Sequence, residues 1–243
     1  MFAIKKKKTM KIAIMQPYFF PYIGYFQLIN SVDKFVIYDN IEYTKKGWIN
    51  RNRILKNAKD ELISLPLKKD SDYLSIKERY LSDTWGKDKK KLLNIINEAY
   101  RKAPYFTEVF HLVESCLNYQ NNNLFDFIYN SLKITCNYIN ISTPLVISST
   151  LDFDNNLKSV DKVLAICKAI QATEYINPIG GIELYQKDFF QSHKIQLHFL
   201  KAKNVVYKQF EDEFIPFLSI IDVLMFNSLD EVKKMITSEF EMI

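Results

Sequence analysis

No stretch of this 243-residue sequence stays apolar for the ~18 residues that a membrane-spanning helix needs. The longest apolar run, Phe214 to Phe226, is broken by Pro216, Ser219 and Asp222. Behind the lysine run Lys5 to Lys8 the apolar stretch is short and has no small-residue cleavage site, which argues against a signal peptide. Cysteine is scarce. Cys116, Cys136 and Cys167 sit inside apolar helical patterns at spacings that match no zinc or redox motif. They read as buried small hydrophobes in a reducing cytoplasm. His111, His193 and His198 also lack ligand-type spacing, so no metal site is expected. Net charge is nearly absent once the tail is set aside. Of the formal +5, Lys5 to Lys8 supply four charges, leaving 29 basic residues against 28 acidic. That excludes a face-wide footprint for nucleic acid. Residues 1–10 are expected to form a disordered basic tail, with Met10 as an alternative start. No internal repeat or low-complexity linker is visible. With 48% hydrophobic residues the chain can bury a sizeable core, which excludes general disorder.

What is present centres on Lys11 to Arg53. An apolar run, Ile12 to Met15, breaks at Gln16-Pro17. A helical pattern starts at Pro21, where a missing N–H costs nothing, and buries Ile23, Phe26, Leu28 and Ile29. Gly24 permits close approach at some cost in helix propensity. A second apolar run, Phe35 to Tyr38, ends on Asp39. This is a strand, tight turn, helix and strand. In open α/β sheets the loops at the carboxyl ends of strands face a ligand crevice, so Gln16, Pro17, Tyr18, Asp39 and Asn40 are expected there.

If Trp48 to Leu55 is a strand, Asn50, Asn52 and Ile54 share one face and Ile49, Arg51 and Arg53 the other. Leu62 to Leu67, ending near Pro66, and Ser75 to Leu81 extend this into an antiparallel meander. Residues 85–140 turn helical, with Leu92 and Ile96, Val109 and Val113, and Phe125 and Ile128 on successive buried faces. Pro144 to Ser148 is again strand-like, and Ser159 can cap a helix over Val160 to Ile170. A strand over Glu174 to Asn177, a helical Ile182 to Phe190, a strand over Ile195 to Leu200 and a buried helix over Phe214 to Phe226 complete the parallel α/β signature. The expectation is one α/β domain over residues 11–243. Its mostly parallel Rossmann-like sheet is built from both ends of the chain, with an antiparallel meander and residues 85–140 as an inserted helical region.

Four constellations could carry chemistry. In the first, Gln16, Tyr18 and Tyr25 belong to a strand-to-helix turn that resembles the signature of HIGH-type nucleotidyltransferases. Tyr22 and Tyr25 stand where that superfamily has histidines, and a phenol donates one hydrogen bond but no charge. In the second, Lys45, Lys46, Trp48, Asn50, Arg51, Asn52 and Arg53 suit an anionic, polyhydroxylated ligand. Arginine grips phosphate, Trp stacks on a sugar or base, and Asn bonds hydroxyls. In the third, Gly180 and Gly181 follow a strand, where backbone N–H groups can approach phosphate at a helix start. In the fourth, Ser219 and Asp222 share a face of an apolar helix, and the buried carboxylate needs a partner, expected to be a motif arginine or lysine, or else serves as a base in the crevice. Asp161 and Lys162 point toward the same crevice. No Ser-His-Asp or Cys-His set has suitable spacing.

The Ile14 to Phe26 opening resembles the WbqC-like family of bacterial proteins. So do Ser31 to Asp39, Trp48 to Arg53, Pro178 to Tyr185 and Leu218 to Asp222. The likeness covers essentially everything after Met10. Where the family pattern often has Lys-Thr-x-Arg, this chain has Lys158-Ser159-Val160-Asp161-Lys162. Members of the family are encoded with O-antigen and other surface-polysaccharide genes. The resemblance therefore implies a cytoplasmic transferase of lipopolysaccharide biosynthesis that handles a nucleotide- or lipid-linked sugar. Acyl or aminoacyl transfer, such as glycyl transfer to a nucleotide-linked amino sugar, is the first expectation. Asp39, Gln16 and Asp222 are its candidate catalytic residues. Pro17, Tyr18, Tyr25, Asn40, Tyr185 and Ser219 join the two basic and glycine motifs as substrate contacts. No cofactor is required beyond an activated acyl donor: an ATP-derived adenylate, a thioester or a charged tRNA. The last would be the one nucleic-acid partner, and a homodimer is allowed. A nucleotidyl- or glycosyltransferase of the same pathway and a non-catalytic sugar-nucleotide-binding or scaffold protein are the other two readings.

Overall fold

Ile12, Ala13 and Ile14 are buried on both sides of their strand, so the first apolar run shows no alternation, as expected for a covered parallel strand. The structure, a computed structural model, describes residues 9–211 and 213–243. Most of the expected basic tail therefore lies outside the described residues. Strand β1 spans Lys11–Met15, helix α1 Ile23–Asn30 and strand β2 Lys34–Ile37. A hairpin follows, β3 (Arg51–Lys56) and β4 (Lys59–Ser64). Helices α2 (Trp85–Tyr100), α3 (Phe106–Leu117) and α4 (Leu124–Tyr138) come next, then β5 (Leu145–Ile147), α5 (Ser159–Ala169), β6 (Glu174–Pro178), α6 (Lys187–Ser192) and β7 (Gln196–Ala202). The chain ends with α7 (Ile220–Phe226), α8 (Leu229–Ser238) and β8 (Phe240–Met242).

The main sheet runs β5-β2-β1-β6-β7-β8. Its first five strands are parallel, and β8 pairs antiparallel with β7. Strand β1 is central. The chain moves outward to β2 and β5 on one side, then returns to lay β6 and β7 on the other. The reversal between β1 and β6 is a topological switch point, with a crevice beyond the carboxyl ends of those two strands. Alternate residues serve opposite layers. Ile12, Ile14 and Val36 pack with Val163 and Cys167 of α5 and Phe190 of α6. Ala13, Phe35 and Ile37 face the larger layer with Phe26 of α1, Ile96 of α2, Val113 of α3 and Phe127 of α4. The three helices between β4 and β5 thus share the core of the sheet.

Several local expectations need correction. The meander is a single hairpin, β3 on β4, turning at Asn57 and Ala58, both at positive φ. Ser75 to Leu81 is not a strand. Ser75 and Glu78 form a capping box around a 3₁₀ turn over Ile76–Glu78, and the ladder is reduced to isolated bridges. Ser159 does not cap α5: it is itself in the left-handed region, φ 48°, and Lys158 holds the cap position. The helix read over Phe214 to Phe226 starts only at Ile220, where Ser219 Oγ accepts from the Ile221 N–H.

Among the described residues Asp222 makes no ion pair. It is fully buried and accepts from Tyr100 Oη (2.8 Å), Tyr207 Oη (2.6 Å) and Gln209 Nε2 (2.8 Å). Tyr100 Oη in turn accepts from the Leu55 N–H at 2.8 Å, so one carboxylate ties α2, β3 and α7 together. Burial pushes the Asp222 carboxyl above its ordinary range, and the three donors pull it back.

Candidate functional site

The carboxyl ends of β1 and β6 open onto a cavity of about 530 Å³. Gln16 and Tyr18 come from the bend after β1, Gly180 and Gly181 from the turn after β6, and Lys162 from the first turn of α5. A second cavity of about 310 Å³ lies alongside, walled by Tyr18, Tyr22, Trp48, Asn52, Arg53 and Phe217. Tyr18 borders both, and Ile179 of the second sits between Pro178 and Gly180 of the first. The glutamine-proline bend, the arginine-asparagine strand and the twin-glycine turn therefore meet at one edge of the sheet, in two adjoining chambers.

Lys162 is the cation of the first chamber. It is 7% exposed, its Nζ donates to the carbonyls of Asn40 (3.2 Å) and Asn155 (3.4 Å), and the Tyr38 ring centroid lies 6.0 Å away. Among the described residues it has no ion pair within 4.0 Å. Burial pulls its amino group below the usual lysine range, while Asp39 opposes that shift. From its sequence position Lys162 points toward the crevice but is not among the expected ligand contacts. A lysine opening a helix opposes the helix dipole, and that was the available signal.

Asp39 and Asn40 stand behind Lys162. Asp39 is 3% exposed, and its carboxylate accepts from Ser148 Oγ (2.7 Å), the Ser149 N–H (2.9 Å) and Ser149 Oγ. It lies outside the walls of both chambers, where a general base would have to stand. Asn40 Nδ2 donates to Asn155 Oδ1 at 2.6 Å. Both residues fix the loop carbonyls that hold Lys162.

Asn50 and Asn52 face inward as their alternation suggests, but they hold structure. Asn50 accepts from Tyr43 Oη and donates to the Leu65 carbonyl. Buried Asn52 donates to the carbonyls of Phe19 (3.1 Å) and Phe20 (2.8 Å), and Ser219 Oγ also donates to Phe20. Arg51 is spent on the Gly47 carbonyl at 2.7 Å and lines neither chamber. Arg53 does line the second chamber, 5.4 Å from the Trp48 ring centroid and 3.1 Å from Asp60. Its Nε has no hydrogen-bond partner among the described residues. Lys45 pairs with Asp72 on the surface, and Lys46 is exposed beside it. Pro17 is buried away from both walls. Tyr185 borders the first chamber.

Tyr25, expected to meet substrate, is core: 2% exposed, it donates to the Gln16 carbonyl at 2.8 Å and so sets the bend. Of the two tyrosines standing in histidine positions, only Tyr22 reaches a chamber, its ring lying over Gly24 where a Cβ would come within 2.4 Å. Burial raises the phenols of Tyr18, Tyr22, Tyr38 and Tyr185 above their ordinary range, so at neutral pH they offer protonated donors.

The twin-glycine turn is not a helix start. It is a 3₁₀ turn over Ile179–Gly181, and α6 begins only at Lys187. Its two glycines do different work. A Cβ on Gly181 would stand 2.0 Å from Asn177 Nδ2, and that buried amide is held by Tyr175 Oη at 2.9 Å. A Cβ on Gly180 would meet nothing within 4 Å. Gly181→Ala is therefore expected to cost about 1–3 kcal/mol through overpacking, whereas Gly180→Ala stays within roughly 0.5 kcal/mol. Parallel urea titrations check this, and equal losses would contradict the assignment.

Among the described residues no group of three or more His, Cys, Asp or Glu side chains could hold a metal ion, and no helix is long and apolar enough to cross a membrane. No solved structure matches the chain. A Mycobacterium tuberculosis (strain ATCC 25618 / H37Rv) protein described as uncharacterized protein Rv1507c is 31% identical over 218 residues, covering 88% of this chain and 92% of that protein. The sequence profile of the WbqC-like protein family matches residues 16–234, and the chain belongs to that family.

Proposed function

We propose that this protein is a cytoplasmic transferase of surface-polysaccharide assembly that acts on a nucleotide-linked amino sugar. The observation that carries the proposal is the nearly buried Lys162 ammonium. It lines a chamber at the switch point of the sheet, and its hydrogen bonds go to carbonyls, with no carboxylate within 4.0 Å among the described residues. A desolvated cation of this kind favours an anionic ligand group, and the adjoining chamber supplies a guanidinium and aromatic faces. A sugar nucleotide combines phosphate, hydroxyls and a flat ring. Family membership supports the same substrate class through the resemblance to proteins encoded with polysaccharide genes.

In the reaction the sugar amine attacks the carbonyl carbon of an activated acyl donor. A C–N bond forms, the bond from that carbon to the donor's leaving group breaks, and the leaving group departs with the electron pair. The amine gives up one proton. In this reading the proton goes to Glu42, a carboxylate on the wall of the first chamber, and the Gln16 side chain orients the reacting groups.

The test is incubation of the pure protein with a UDP- or dTDP-linked amino sugar, glycine and ATP, with an aminoacyl-thioester and a charged tRNA as alternative donors. Mass spectrometry is expected to find the glycyl-amide of the sugar nucleotide. Failure with every donor, while the sugar nucleotide still binds, would leave the non-catalytic reading in its place.

A further inference from the structure

The two chambers differ in chemistry, and that difference divides the ligand. We infer that the aromatic chamber receives the base of the nucleotide while the Lys162 chamber receives the sugar, with the diphosphate passing Tyr18. This rests on the proposal that the ligand is a sugar nucleotide.

Four of the ten residues walling the smaller chamber are aromatic: Tyr18, Tyr22, Trp48 and Phe217. Flat rings rather than branched aliphatic side chains suit a planar heterocycle, which stacks without needing a sequence-specific hydrogen-bond pattern. Three of them face solvent, Tyr22 at 36%, Trp48 at 42% and Phe217 at 65% exposure. Exposed aromatic faces ringing a concavity are a binding surface rather than a stability device.

Phe217 is also held in an unfavourable backbone state. Its φ of 58° lies in the left-handed region, costly for a bulky residue, and it sits between Pro216 and buried Leu218. Strain of this kind persists where neighbours over-determine it and clusters at ligand clamps. Ser159, on the wall of the other chamber, carries the same feature at φ 48°.

Arg53 fixes the direction of the ligand. Its guanidinium borders the aromatic chamber beside the Trp48 ring, with Nε unpartnered among the described residues. A phosphate following the base would meet Arg53 first. Beyond Tyr18 the wall becomes polar: Lys162 suits the phosphate that joins the sugar, and Gln16 and Asn177 suit the sugar hydroxyls. Gly180, open on its Cβ side, lets backbone come close to the sugar.

The test uses the whole protein and four probes in isothermal titration: UMP, a UDP-linked amino sugar, galactosamine 1-phosphate and farnesyl diphosphate. UMP is expected to bind and to quench tryptophan fluorescence, and Trp48→Phe should remove most of that quenching, since Trp85 is buried. Phe217→Ala and Trp48→Ala should each weaken UMP by about tenfold or more and leave galactosamine 1-phosphate unchanged. Phe217 is exposed enough for its variant to fold, and a circular dichroism melt checks that. If a UDP-linked sugar binds but neither variant alters UMP affinity, the division is wrong and the substrate proposal stands. If farnesyl diphosphate binds the aromatic chamber and UMP does not, that chamber takes a lipid and the inference falls. If no nucleotide or sugar nucleotide binds at millimolar concentration, both fall together.

Discussion

Exchange of Lys162 for methionine is expected to weaken binding of a UDP-linked amino sugar by roughly 10- to 100-fold, the range for one charge-assisted hydrogen bond. The unliganded fold should stay within about 1 kcal/mol of wild type, because methionine fills a similar volume without needing hydration. The pH dependence has a definite sign. Burial holds the folded-state amino group below its ordinary value. Stability linked to this group is therefore present above the unfolded value of about 10.4 and lost as pH falls through the lower folded value. Near neutrality the ammonium costs stability, so the methionine variant should gain relative to wild type at pH 7 and lose that gain toward pH 10. Urea unfolding at the two pH values reads this, and titration calorimetry reads the binding. A variant that binds normally, or that unfolds while wild type persists, would remove Lys162 from the site and assign it to the fold.

Replacement of Asp222 by alanine is the opposite experiment: a large loss of stability with no part in chemistry. The fully buried carboxylate satisfies two phenols and an amide. Removing the acceptor of these three donors, those of Tyr100 and Gln209 buried and that of Tyr207 half-buried, should cost about 3–5 kcal/mol. For a chain of this size that lowers the melting temperature by roughly 6–20 °C. Asp222→Asn isolates the charge. Because burial raises the folded carboxyl above its unfolded value, the stability it contributes is complete below about pH 3.9 and declines as pH rises through the folded value. The wild-type advantage over Asp222→Asn should therefore be greatest in acid and shrink toward neutrality. A gap that widens with pH would mean that the three donors outweigh burial and hold the group ionised.

These two residues mark what could be read from the chain and what could not. The parallel strands were legible because strands covered on both faces are continuous apolar runs, as in Ile12 to Met15 and Phe35 to Tyr38. The inward alternation of Asn52 and Ile54 was legible for the related reason that β3 has one buried face. Asp222 could be recognised as buried, but its partners could not be named. Tyr100 lies 122 positions away, and nothing local distinguishes it from a plain core tyrosine. Local turn chemistry misled in both directions. Gly180 and Gly181 suggested a helix start, yet one glycine makes room for Asn177 and the other for open space. Ser159 suggested a cap, yet it occupies the left-handed region. The basic cluster divided in a way that spacing could not foresee, since Arg51 is drawn to the Gly47 carbonyl while Arg53 reaches the chamber. Ser228 and Glu231 form a capping box whose spacing announces α8 in the sequence, although the segment is dominated by charged residues.

On this proposal the carboxyl end of the sheet, where β1 and β6 diverge, holds one extended anionic ligand across two chambers. Diffraction from crystals soaked with a UDP-linked amino sugar tests it most directly. The expected density has the base against Trp48 and Phe217, phosphate beside Arg53, and the sugar near Gln16 and Lys162. Density for the ligand elsewhere, such as the surface concavity beside Asn57 and Lys102, with both chambers left empty at saturating concentration, would contradict it.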